Sequence, residues 1–231
     1  MRITKKIVFL KFFLTVLISL VSFFSFPQSG KIEIKFIGNC GFFLTDGKIN
    51  IYVDFPYKSG AYGYMTYNAN LLDSIQANSI FLFTHGHADH YNKKLFKRTN
   101  QKLYGPWPIT IFLSAKRKYK LKALNDSLPN LLITEFKTKH GFSLKHYSYL
   151  IIWNNKRIFI SGDTETADTI CKIKNLDLVF ASSWLINDAY NRNLKIDTKK
   201  IILCHHRSQE IIDNRNEKII VPSQNQKFEL K

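Results

Sequence analysis

Ile80-Phe81-Leu82-Phe83-Thr84-His85-Gly86-His87-Ala88-Asp89-His90 is the stretch on which the reading of this chain turns. An uninterrupted apolar run gives way to a polar cluster, as when a buried strand delivers its last residues to one edge of a sheet. Past the run, three imidazoles and a carboxylate fall between His85 and His90. Histidine is too scarce in ordinary loops for this density to mean a solvated turn, and it points to a metal site. If the chain stays extended, His85 and His87 point the same way, because side chains alternate with period two. Gly86 and Ala88 keep the turn sterically open, and the turn then brings Asp89 and His90 round beside them. Imidazole nitrogen and carboxylate oxygen suit zinc, and equally iron or manganese, so ligand type alone does not name the metal.

Outward from this cluster, further donors stand after β-like runs. Asp54 follows Ile49-Asn50-Ile51-Tyr52-Val53, His140 sits in Lys139-His140-Gly141, Asp163 in Ser161-Gly162-Asp163-Thr164, and His205 after Ile201-Ile202-Leu203-Cys204. These residues, in this order, resemble the motif set of the metallo-β-lactamase-fold hydrolases over about residues 32 to 210. The resemblance implies that His85, His87 and His140 hold one divalent ion, that Asp89, His90 and His205 hold a second, and that Asp163 bridges the two. Zinc is the expected metal, with an open position on each ion, as catalytic sites keep. A water between the ions, deprotonated near neutral pH, is then the nucleophile, with Asp89 and Asp163 as the catalytic carboxylates. The implied reaction is cleavage of an ester, lactone, amide or phosphodiester. Asp54 is expected to accept N–H bonds from the His loop rather than to bind metal; the other reading is a turn residue before Pro56. Gly38-Asn39-Cys40-Gly41-Phe42-Phe43-Leu44 looks like the Gly-His-Ala-Gly/Ser-Phe opening of a branch containing sugar-phosphate lactonases and phospholipase D-like phosphodiesterases, with Asn39 where that branch has His.

Five of the seven histidines are thereby assigned. His206 is the alternative late ligand, since adjacent residues face opposite sides of a strand; His205 is preferred because it directly follows the apolar run. His146, within Leu144-Lys145-His146-Tyr147-Ser148-Tyr149, reads as a partly exposed strand residue. The aromatic loop Tyr57 to Tyr67 is either a wall over the metals or an ordinary surface loop. Cys40, Cys171 and Cys204 are odd in number and widely spaced, which implies no disulfide framework, and Cys204 reads as a small buried hydrophobe.

The remaining pattern fits an αβ/βα sandwich of two mixed sheets flanked by helices, the metallo-β-lactamase type. Strands are expected at 31–37, 42–45, 49–53, 102–104, 131–136, 143–153, 157–160, 176–181 and 200–204, with helical turns at 71–76, 92–97 and 167–173. Ligands after separate strands can meet only if those strand ends share an edge, which such a sandwich provides. One domain is expected over residues 30–231. Before it, Arg2, Lys5 and Lys6 precede the apolar Phe12 to Phe26, so residues 1–29 read as a signal peptide or retained membrane anchor, with the domain exported. The formal charge is +17, of which Arg2, Lys5, Lys6 and Lys11 supply four, leaving +13 on the domain. A solvated basic surface is the plain interpretation, as no nucleic-acid motif or base-stacking array accompanies it. Expected partners are a small-molecule substrate that could be anionic and a membrane contacted through the N-terminus, with no nucleic acid. The competing functions are a metal-binding protein of this fold without turnover, and a basic nucleic-acid or membrane-surface binder.

Overall fold

The apolar alternation of the chain resolves into two six-stranded mixed sheets. The computed structural model describes residues 30–212 and 216–231; the segment read as a signal or anchor lies outside them. Among the described residues no helix is long and apolar enough to cross a membrane.

The first sheet has the order β12-β1-β2-β3-β4-β5, from β1 (Ile32–Gly38), β2 (Gly41–Thr45), β3 (Asn50–Val53), β4 (Ile80–Leu82), β5 (Lys102–Tyr104) and β12 (Lys227–Leu230). β12, β1, β2 and β3 pair antiparallel, whereas β3, β4 and β5 are parallel. The second sheet runs β11-β10-β9-β8-β7-β6, from β6 (Leu131–Thr138), β7 (His146–Trp153), β8 (Lys156–Ile160), β9 (Leu176–Ser182), β10 (Thr198–Cys204) and β11 (Ile219–Ile220). β6, β7 and β8 form an antiparallel meander, β7 and β8 joined at Asn154 and Asn155, both of positive φ as a tight hairpin turn requires. β8 to β11 are parallel.

Period-two alternation decides what each strand buries. Ile34, Phe36, Phe42, Leu44, Ile51 and Leu82 of the first sheet meet Ile133, Tyr149, Ile151, Ile158, Phe180 and Ile202 of the second in the central core. Phe42 and Phe180 touch across it with ring centroids 4.1 Å apart; truncating either ring costs roughly 3–5 kcal/mol. The opposite faces are covered by helices. α1 (Lys93–Arg98) and α2 (Trp107–Thr110) bring Phe96 and Ile109 against Tyr52, Phe81 and Leu103. α4 (Ser183–Asn191) brings Leu185 and Ala189 against Val179 and Ala181. A fourth short helix, α3 (Leu121–Ser127), packs Leu124 into the central core. This is the expected sandwich.

Several local expectations differ from the structure. Residues 167–173 form only a 3-10 turn at Ile170–Lys172, because the backbone returns to the extended region at Ile173 (φ −92°, ψ 128°); Asp188 Oδ2 of α4 accepts the Ala167 N–H at 2.8 Å ahead of it. The turn before β4 is likewise 3-10, Ala69–Leu72, opened by the Asn68 side chain on the Asn70 N–H. β7 starts at His146 rather than at 143, since Ser143 closes a turn through its N–H to the His140 carbonyl and its hydroxyl to that of Lys145.

Candidate metal centre

Every donor singled out in the sequence lies at the end of a strand on one edge of the sandwich. The sheets are stitched together there: the Tyr149 hydroxyl donates to the Phe83 carbonyl at 2.7 Å and the Tyr147 N–H to that of Thr84 at 2.9 Å. Beyond β10 the His205 N–H donates to the Asn39 carbonyl at 3.0 Å, closing the second sheet onto the β1–β2 turn. Asn39, Asp54, Gly162 and His205 all have φ between 45° and 63°. Three of these four are not glycine, and left-handed backbone is uncommon for such residues, so the surrounding contacts must hold the turns in place.

The side chains converge as two groups of donors. His85, His87 and His140 form one, Asp89, His90, Asp163 and His205 the other, and within each group the donor atoms lie within 4.8 Å of one another. In the first, His140 Nε2 is 3.2 Å from His87 Nδ1. In the second, Asp163 Oδ2 is 3.0 Å from both His90 Nε2 and His205 Nε2, and His205 Nε2 is 3.1 Å from Asp89 Oδ2. The same Asp163 oxygen lies 3.9 Å from His85 Nε2 and 3.8 Å from His140 Nε2, so it faces both groups. His206, the other possible late ligand, points away and stacks on Phe36 at 5.6 Å.

Charge at this point fits a cation. Burial pushes Asp163 upward, yet His90 and His205 beside it more than offset this and hold the carboxyl well below the usual range. Burial lowers His205, but Asp163 and Asp89 raise it to about 9. The carboxylates thus draw positive charge to the imidazole nitrogens facing them. The buried His85 Nε2 has no hydrogen-bond partner and is free to coordinate. Imidazole and carboxylate donors at this spacing are chemically suited to two divalent ions.

Asp54 binds the loop rather than the cluster centre. Its Oδ1 accepts the Thr84 N–H at 2.7 Å, and its Oδ2 the Thr84 hydroxyl at 2.8 Å and His90 Nδ1 at 2.9 Å. With Asp54 on Nδ1, His90 Nε2 is directed at Asp163. Asn39 Nδ2 donates to the Asp89 carbonyl at 2.7 Å and is 3.4 Å from Asp89 Oδ2, so it orients that carboxylate.

His146 is not the partly exposed strand residue that the sequence suggests. It is 1% exposed, and its Nε2 accepts the Asp163 N–H at 3.0 Å while Nδ1 is 2.7 Å from the Thr138 hydroxyl. Burial, countered only in part by Asp163, lowers its pKa to about 3, so it is neutral, as an acceptor must be. A Cβ on Gly162 would lie 2.6 Å from His146 Nε2, which is why the turn needs glycine. Two further participants escape the sequence reading. Cys40 Sγ lies 3.8 Å from Asp163 Oδ1. Ser148 donates to the Ser161 carbonyl at 2.7 Å, bracing the same turn. Cys204 is buried in the central core.

A cavity of about 550 Å³ opens beside His205, lined by Tyr64, Ser183, Trp184, Arg207, Gln209 and Glu210. Tyr64 and Trp184 meet His205 edge-on at 4.2 and 4.8 Å. Of the aromatic loop 57–67, then, Tyr64 walls the site, whereas Tyr57 is buried in the outer core with Tyr67 packed against it. Burial first, then Asp89 and Asp163, raise the Tyr64 phenol to about 12, leaving it a hydrogen-bond donor at neutral pH.

No family model and no curated sequence matches the chain. Solved structures do. Igni18, a metallo hydrolase from the hyperthermophilic archaeon Ignicoccus hospitalis, superposes with a TM-score of 0.61 at 15% identity, covering 87% of this chain and 99% of that one. The metallo-β-lactamase fold protein YhfI from Bacillus subtilis gives 0.64 at 14% identity, with 87% and 99% covered. An isothiocyanate hydrolase from Delia radicum gut bacteria gives 0.57 at 14%, with 85% and 98% covered. The chain has the metallo-β-lactamase fold.

Proposed function

We propose that the chain is an exported, dinuclear-metal hydrolase, with zinc the expected ion, acting on an ester, lactone, amide or phosphodiester of a small molecule. The observation that carries this reading is the convergence of seven donor residues in two groups about Asp163, next to an open cavity. His85, His87 and His140 would hold one ion, Asp89, His90 and His205 the other, with Asp163 shared. Divalent ions there supply Lewis acidity toward water and toward a carbonyl or phosphoryl oxygen. The chain's own residues do the rest. Asp54 and Asn39 fix the orientation of His90 and Asp89. Asp89 and Asp163 stay ionised, since both carboxyls are held below their ordinary range against the upward push of burial, and as weak bases they would orient an attacking water by accepting its hydrogen bond rather than remove its proton. Tyr64 can donate to a substrate oxygen, and Arg207, with Glu210 beside it in the lining, offers a guanidinium to an anionic group.

The opening Gly38 to Leu44 favours lactones and phosphodiesters within that range, and the basic start with its apolar run at residues 12–26 supports export. The test is hydrolysis by the purified full chain of nitrocefin, a lactone panel and bis-p-nitrophenyl phosphate, before and after chelation. The reading expects chelator-sensitive turnover, restored by zinc, of at least one substrate. Tight metal binding with no turnover across the panel would instead favour the metal-binding protein without catalysis.

A further inference from the structure

We infer that the rim of this site is a docking face for an anionic lipid bilayer, separate from any contact made by the N-terminal segment. Six of the nine exposed large apolar side chains among the described residues, Tyr62, Trp107, Ile111, Phe112, Phe142 and Leu144, lie on three loops, the second of which includes the single turn of α2. Three successive residues of the His loop touch these three loops. A Cβ on Gly86 would be 3.7 Å from Ile109, His87 Nε2 is 3.4 Å from the Phe142 carbonyl, and the Ala88 carbonyl accepts the Lys58 N–H at 2.7 Å. The exposed side chains therefore surround one point. Phe142 projects entirely into solvent and Phe112 is 70% exposed, an arrangement that water disfavours and that marks an interaction surface.

Charge selects the partner. Segments 57–67, 91–98, 105–120 and 139–145 contain eleven Lys and Arg residues and no Asp or Glu; from outside them Glu165 accepts the Gly141 N–H and Asp73 lies 4.0 Å from Arg98, which leaves the cations in large excess. Lys93 Nζ sits 4.2 Å over the Phe112 ring, so cation and apolar group share one patch. Apolar side chains enter the acyl boundary of a bilayer while lysines meet its anionic headgroups. A second copy of the chain would set these cations against each other. A nucleic acid would leave Ile111 and Leu144 without a stacking role. The inference stands whether or not the site turns over substrate.

Trp107 is the reporter, since Trp153 is buried and Trp184 lies against His205. Its emission is the difference between the full chain and its Trp107→Phe variant. Vesicles of phosphatidylcholine doped with phosphatidylglycerol should shift this emission to the blue, and brominated acyl chains should quench it. Phe112→Ser with Phe142→Ser should weaken the quenching several-fold without lowering the melting temperature, as should salt or omission of phosphatidylglycerol. Protein held on vesicles with Trp107 unquenched would overturn the inference, because the N-terminus alone would then bind. Equal quenching on neutral vesicles, a shift that grows with protein concentration without lipid, or a shift on RNA alone would also overturn it.

Discussion

His146 Nε2 accepts the Asp163 main-chain N–H at 3.0 Å, so a residue of the β7 strand fixes the turn that aims the central carboxylate. That bond, with Thr138 on the other ring nitrogen, gives His146 a positioning role without contact to the reacting atoms. Replacing His146 by Ala should weaken metal affinity roughly 10–100-fold, the usual effect of removing a group that orients a ligand. His146→Gln, which keeps an acceptor, should recover part of it. Competition with a chromophoric chelator measures both, and a loss of melting temperature with unchanged affinity would reduce His146 to packing.

Asp163→Asn keeps the shape of the turn and removes the charge. It should fold and melt cooperatively, yet lose metal affinity and turnover by about 100-fold or more. Calorimetric metal titration alongside a thermal melt checks this, and full activity with tightly held ions would refute a bridging role for Asp163.

The adjacent histidines should behave oppositely. His205→Ala removes a donor 3.0 Å from Asp163 Oδ2 and should release an ion together with most turnover. His206→Ala removes a ring stacked on Phe36 and should cost about 1 kcal/mol of stability while metal content is kept. Elemental analysis of the two variants distinguishes them; metal loss from the second alone would reverse the assignment.

Asp46 clamps the far end of the sandwich. Its Oδ1 accepts the Lys48 and Ile49 N–H groups of one sheet's turn, and its Oδ2 the Trp153 indole and Asn154 amide of the other's. Burial pushes this carboxyl upward, but those bonds outweigh it and hold it below its ordinary value. A depressed folded pKa means that the contribution is full above the unfolded value of about 3.9 and is lost as pH falls through the folded one. Asp46→Ala should therefore destabilise by roughly 1–3 kcal/mol near neutral pH. In urea melts the gap to the parent chain should narrow in acid; a constant gap would mean that the carboxylate's charge plays no part.

Much of this was legible because metal chemistry forces rare residues into fixed places. His85 to His90, His140, Asp163 and His205 could be picked out since each follows a β-like run, and the fold turns those run ends onto one edge. What could not be read depends on distant partners. β12 is a four-residue segment, Lys227–Leu230, too short for its alternation to mark a strand until it pairs with β1, Ile32 opposite Leu230 and Ile34 opposite Phe228. α4 is defined by Leu185 and Ala189 packing on β9, which no local pattern announces. His146 and Ser148 alternate with Tyr147 and Tyr149, a pattern that suggests a solvated face. That face is covered by the Ser161 to Thr164 turn, so both residues are buried. Conversely, residues 167–173 look helical, but the backbone turns extended at Ile173 after a single 3-10 turn.

Metal content tests the central claim most directly. Elemental analysis of the purified full chain, dialysed against excess zinc and then freed of unbound ion, should give about two ions per chain, because the donor set exceeds what one tetrahedral site can use. The Asp163→Ala variant should retain fewer. A wild-type chain that holds one ion or none, or an Asp163→Ala chain that still holds two, would contradict the dinuclear site on which the proposed hydrolysis rests.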